Sequence, residues 1–161
     1  MKNVLMAVMA VFVATATLAQ QARWVDLGLP SGTLWYSYVT SVRGELYAYA
    51  QLKEELGDNL PTKEQYEELL NYCEWQPVPT VKYWHDKASP ANCWMAIGPN
   101  GNKILFDVDR LTYGGCGVFL SRTKASIDEV YALCWEFDKR PYISEVDMDQ
   151  GYRCRAKVRK P

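Results

Sequence analysis

Apolar residues recur at strand-like spacing from Trp24 to Leu29, stop at Pro30-Ser31-Gly32, and resume from Thr33 to Val39. Two such runs around a Pro-Ser-Gly turn predict a β-hairpin. Further on, the spacing lengthens to three and four residues: Tyr66, Leu69, Leu70 and Cys73 make one apolar stripe of a helix. Its start is marked by Thr62, whose hydroxyl caps the first turn, and by Gln65, which completes a capping box. Glu64, Glu67 and Glu68 lie toward the positive end of the helix dipole. The helix is expected to end near Tyr72 to Trp75. A second helix is expected from about Glu45 to Leu56, with Leu46, Tyr49, Ala50, Leu52 and Leu56 inside and Gly57-Asp58-Asn59 as its stop.

Gln76-Pro77-Val78-Pro79 is expected to be an extended loop, after which the spacing is strand-like again. Asn92 to Ile97 and Lys103 to Val108 flank Gly98-Pro99-Asn100-Gly101-Asn102, and Asn-Gly is a strong hairpin signal. Gly117 to Ser121, Glu129 to Phe137 and Gly151 to Val158 are further strands, with Thr123 to Asp128 and Asp138 to Gln150 as connections. Strands with one or two helices and no regular alternation of the two predict an α+β domain with mostly antiparallel small sheets.

Residues 1–19 have the layout of a secretory signal peptide: Lys2, an apolar run from Val4 to Val13, then small residues up to Ala19. The chain is therefore expected to be secreted, periplasmic or at the cell surface. Residues 20–161, about 140 in number, suit a single domain. No later segment approaches the roughly 20 apolar residues of a membrane helix. The whole chain carries a formal charge of −1, and loss of the leader with Lys2 leaves 17 basic against 19 acidic residues. That balance offers no basic footprint for nucleic acid. Six Trp and eleven Tyr predict an aromatic-rich core, with some rings on a contact face.

Three stretches occur in a definite order: WVDLGLPSGTLW (Trp24 to Trp35), LPTKEQYEELLNYCEW (Leu60 to Trp75) and GPNGNKILF (Gly98 to Phe106). Together they resemble the Fibrobacter succinogenes major paralogous domain, a family of secreted or surface proteins common in gut bacteria. The resemblance implies a C-type-lectin-like domain of two small sheets with flanking helices, its ligand contacts on a loop-rich face. It also implies that Gly151 to Val158 closes the domain against the N-terminal strand. Val118-Phe119-Leu120-Ser121 stands where the family commonly has a YWSS-like motif, Arg155 to Arg159 alters the usual SVR close, and Thr40 to Asn59 is a shortened insertion. These departures leave the implied fold intact and weaken any transfer of ligand specificity.

All five cysteines follow the leader, in a compartment where disulfides persist. A Cys134–Cys154 bridge is the preferred pairing, because both lie in strand-like segments near the C-terminus, and Cys73–Cys93 is the second choice. The first would close a loop of about 20 residues and add about 3 kcal/mol in the chain-entropy model. Cys116, between two glycines, is then the odd thiol and the handle for a disulfide-linked dimer, the alternative being a monomer.

A Ser-His-Asp or Cys-His site would have to use His85, the single histidine, and no serine has a nucleophile-elbow pattern around it. The chain is expected not to be an enzyme. A calcium site would draw on Asp107 with Asp109, Asp147 with Asp149, or Asn100 with Asn102, but no sugar-binding lectin signature is present, and zinc lacks paired Cys-x-x-Cys spacing. No cofactor is expected. The expected function is non-catalytic recognition of a glycan or protein, with Tyr83, Trp84, His85 and Asp86 from a central loop and Arg122, Lys124, Asp138, Arg140 and Tyr142 from C-terminal loops as contacts. The alternative is a structural or assembly protein of the cell envelope.

Overall fold

The Pro30-Ser31-Gly32 turn folds Trp24–Asp26 (β1) back on Leu34–Tyr36 (β2), with Trp24 opposite Tyr36 and Val25 opposite Trp35. This hairpin belongs to a computed structural model that describes residues 24–39, 48–84, 87–107, 116–136, 139–152 and 156–160. The expected signal peptide lies outside those residues. Tyr38–Val39 (β3) follows the hairpin, then helix Tyr49–Leu56 (α1), a 3-10 turn at Gly57–Asn59, and helix Lys63–Tyr72 (α2). Seven strands follow: Glu74–Trp84 (β4), Lys87–Ile97 (β5), Lys103–Phe106 (β6), Gly117–Lys124 (β7), Glu129–Trp135 (β8), Tyr142–Asp147 (β9) and Val158–Arg159 (β10). They assemble as three small sheets, β1-β2-β10, β3-β6-β5-β4 and β7-β8-β9. All pairings are antiparallel except that of β3 with β6. The architecture is thus α+β, as the spacing predicts.

The capping box forms as expected. Gln65 N–H donates to Thr62 Oγ1 at 3.2 Å and Thr62 N–H donates to Gln65 Oε1 at 2.9 Å. The same helix holds the first hairpin. Glu68 accepts from the Ser31 amide at 2.7 Å and from the Ser31 hydroxyl, while Gln65 Nε2 donates to Thr33 Oγ1 at 3.2 Å. The turn at Gly98 to Asn102 also grips the hairpin, at the end of β1, where Asn100 Nδ2 and Asn102 Nδ2 donate to the Asp26 carbonyl at 3.0 and 2.7 Å. The three sequence stretches that carry the family resemblance are therefore in direct contact.

The β7-β8-β9 sheet divides the interior. On one side Phe119, Leu133 and Trp135 join Tyr66 and Leu69 of α2, with Trp35 and Phe106, in the larger core. On the other, Leu120, Val130, Ala132 and Cys134 meet Tyr49, Leu52 and Leu56 of α1 and Leu60. Most of the tryptophans are in or beside these cores: Trp35, Trp75, Trp94 and Trp135 are buried. Among the described residues no helix is long and apolar enough to cross a membrane.

Two expectations are corrected. Gln76 to Pro79 is part of β4, not a loop. β4 is an edge strand, and Pro77 and Pro79, two positions apart, both turn a backbone nitrogen without hydrogen toward the open edge, where proline is tolerated. Asp138 to Gln150 is not only a connection, because it contains β9. That strand is an edge of its sheet with a largely solvated face, so its apolar content is low. The closing strand is Val158–Arg159, and it pairs with Trp35 and Leu34 of β2, at the end of the Trp24–Trp35 stretch against which the resemblance places it. Residues 45–47 of the helix expected from Glu45 to Leu56 lie outside the described residues; its remainder is α1 with its N-cap Ala48.

Candidate recognition surface

β4 and β5 pair over eleven residues each, from Glu74 opposite Ile97 to Trp84 opposite Lys87. β6 covers β5 only from Trp94 to Ile97. From Cys93 outward no third strand flanks the two among the described residues, and the seven residues from Lys87 to Cys93 correspond to about 23 Å of length. The root of this arm is fastened twice. Ala91 and Cys93 are buried against Val78 and Leu105, and the Trp135 indole N–H donates to the Asn92 carbonyl at 3.1 Å. Farther out Val81 is 44% exposed. Tyr83 and Trp84, expected in a loop, are the outermost residues of β4. His85 and Asp86 connect the strands and lie outside the described residues.

The other expected contacts are elsewhere. Arg122 forms an ion pair with Asp58, its amide donates to the Pro61 carbonyl at 2.7 Å, and its carbonyl accepts from Tyr49 Oη at 3.0 Å. It ties β7 to the segment before α2. Lys124 ends the same strand, opposite Val130. Arg140 reaches the Leu70 carbonyl at 3.4 Å, near the negative end of α2, where a cation is favourable. Tyr142 lies opposite Cys134 in β9 and is 38% exposed. Asp138 lies outside the described residues. Arg122 and Lys124 are thus near the start of α2, and Arg140 and Tyr142 near its end, about 15 Å apart for a ten-residue helix. The structure brings Arg140 and Tyr142 to the end of the β7-β8-β9 sheet where the arm is rooted and leaves Arg122 and Lys124 at the other.

Cys73 and Cys134 carry free thiols. Cys73 directly precedes Glu74, which pairs with Ile97, whereas Cys93 pairs with Val78. Several strand positions therefore separate the second-choice pair, and Cys93 Sγ instead lies 2.9 Å from Asp107 Oδ1. Cys154, the expected partner of Cys134, lies outside the described residues. Burial, then Cys116 and Glu136, push the Cys134 thiol up to about 12. Burial, then Glu68, push Cys73 up to about 11. Both stay protonated at neutral pH, a state that neither attacks carbonyls nor binds soft metals.

Of the oxygens considered for calcium, Asn100 Oδ1 accepts from the Asn102 amide at 3.0 Å and Asp147 Oδ1 from the Asp149 amide at 2.8 Å. These atoms shape their own turns. Among the described residues no group of three or more His, Cys, Asp or Glu is placed to hold a metal. Asp109 lies outside them.

One feature of the surface was not anticipated. On the outer face of the β1-β2-β10 sheet, Trp24 and Tyr36 meet edge to face at 5.3 Å. Arg159 stacks on Trp24 at 4.7 Å, and Lys157 lies over Tyr36 at 6.0 Å. The signal was present in the sequence as basic residues at the alternate positions Arg153, Arg155, Lys157 and Arg159, one face of a strand. Comparison with protein-family models, curated proteins and solved structures gave no match for this chain.

Proposed function

We propose that this chain is an exported, non-catalytic recognition module of C-type-lectin-like kind, which engages a glycan or protein ligand through the end of the β4–β5 arm. The observation that carries this reading is the arm's extension beyond the strand that supports it among the described residues, with Val81 exposed and Tyr83 and Trp84 at its outer end. A two-stranded ribbon is marginal on its own. This one is fastened at its root by the burial of Ala91 and Cys93 and by the Trp135–Asn92 hydrogen bond, an arrangement suited to presenting contact residues away from the core. Aromatic rings there supply large contact area with little side-chain entropy to lose. Arg140 and Tyr142, at the rooted end of the neighbouring sheet, are secondary contacts. Protonated Cys73 and Cys134 favour recognition over thiol catalysis. The family resemblance and the leader support export to the cell surface or periplasm.

The test is capture of residues 20–161 on an array of glycans and of host and envelope proteins, with and without chelator. Binding abolished by Trp84→Ala, with the fold retained, is the expected result. Capture unchanged by that substitution excludes the arm.

A further inference from the structure

We propose that the outer face of the β1-β2-β10 sheet is a second binding site, for an acidic polysaccharide. The strand register sets Trp24, Tyr36 and Lys157 in one cross-strand row and Asp26, Leu34 and Arg159 in the next. All six side chains point away from the core, because Val25, Trp35 and Val158 between them are buried. The face therefore combines two aromatic rings with two cations.

Three observations point to an anionic sugar. Arg159 is exposed with its guanidinium carbon 4.7 Å from the centroid of the Trp24 ring, and its N–H groups bond no described residue, so they can fork a carboxylate or sulfate. Neither Arg159 nor Lys157 is ion-paired with a carboxylate of the described residues. Asp26, on the same face, is turned toward the Gly28 amide at 2.7 Å. Finally, the cations stand out in a chain of net charge −1, so the local field is opposite in sign to the whole and complements an anion. Half-buried Trp24 and Tyr36 add apolar ring edges and faces against which the C–H face of a pyranose packs. A uronate chain presents that face and a carboxylate on each residue.

Polygalacturonate is the probe, with its methyl ester as the uncharged control and inorganic polyphosphate as a charge-only control. The mature protein is expected to bind polygalacturonate, to bind the ester far less, and to lose affinity as salt rises. Arg159→Gln should weaken binding about tenfold, and Arg159→Lys, which keeps charge but not the planar fork, should restore little of it. Trp24→Leu should weaken polygalacturonate binding without altering that of polyphosphate. Because Arg159 is exposed, its variants leave folding intact, which near-ultraviolet circular dichroism would verify. Equal affinity for ester and acid, full activity of Arg159→Gln, or indifference to Trp24→Leu would each overturn the proposal. Trp84→Ala should leave this binding unchanged, so the outcome is separable from that of the arm.

Discussion

Gly117 stands directly opposite Trp135 across β7 and β8, and the indole fills the space that a side chain at position 117 would need. A Cβ built on Gly117 would lie 2.2 Å from the ring. The ring cannot withdraw, because it stacks on Phe119 at 5.4 Å and its N–H holds the Asn92 carbonyl at the root of the arm. The glycine thus serves packing, and through Trp135 it serves the placement of β5.

Gly117→Ala is therefore expected to destabilise the protein by about 3 kcal/mol, the upper range for overfilling a packed core. Adding Trp135→Leu should not add its own full cost, since the two changes share one space. Urea unfolding of the two single variants and the double variant measures this.

The turn at Gly98 to Asn102 gives a sharper contrast. A Cβ on Gly98 would come within 2.0 Å of the Leu27 carbonyl oxygen, whereas one on Gly101, at φ +82°, meets nothing within 4 Å. Gly98→Ala should cost about 3 kcal/mol by forcing the turn off β1. Gly101→Ala should cost only about 1 kcal/mol, from its left-handed backbone. Thermal denaturation of both variants would establish the order, and equal costs would refute the docking of this turn on the first hairpin.

Glu68→Ala should cost about 1 kcal/mol, because it leaves the Ser31 amide to water and the Ser31 hydroxyl with Thr33 Oγ1 alone. Glu68→Gln keeps an acceptor and should cost less. Hydrogen exchange at the Ser31 amide, faster in the alanine variant than in the wild type, is the direct readout.

The buried thiols make an alkaline prediction. The ordinary thiol value is 9.0, and Cys73 and Cys134 are raised to about 11 and about 12 in the folded chain. In the unfolded chain they ionise first, so the stability they contribute is full below about pH 9 and is lost as pH rises from there through their folded values. Cys134→Ala should flatten that decline in a pH series of urea midpoints. In the native state at pH 8, Cys73 and Cys134, each 5% exposed, should resist an alkylating reagent that modifies both once the chain is unfolded. Peptide mapping of the labelled protein checks this.

The elements that the sequence made legible are those with local signals. Thr62 and Gln65 mark α2 because capping is a contact between residues three apart, and Asn100-Gly101 marks its turn for the same reason. β4 was misread because Pro77 and Pro79 are breakers unless the strand lies at an edge, and edge position is a property of the whole sheet. β9 was missed because its solvated edge leaves it without a continuous apolar run. The contact residues were legible one by one but not as a set. Arg122 proved to be tied to Asp58, and only tertiary structure separates it from Arg140. The cationic face of β10 was visible as alternating basic residues, but the rings of Trp24 and Tyr36 beneath it come from the other end of the chain.

The recognition role of the arm is tested most directly by shortening it. Replacing residues 81–90 with Asn-Gly would close the ribbon on the Thr80–Ala91 pair, keeping Val78, Ala91 and Cys93 at the root while removing Tyr83 to Asp86. Binding of this variant and of the wild type to the same glycan and protein array would then be compared, with thermal denaturation as the control for folding. A folded short-arm protein that has lost the captured ligand is the predicted result; a folded short-arm protein that binds the ligand as well as the wild type would contradict it.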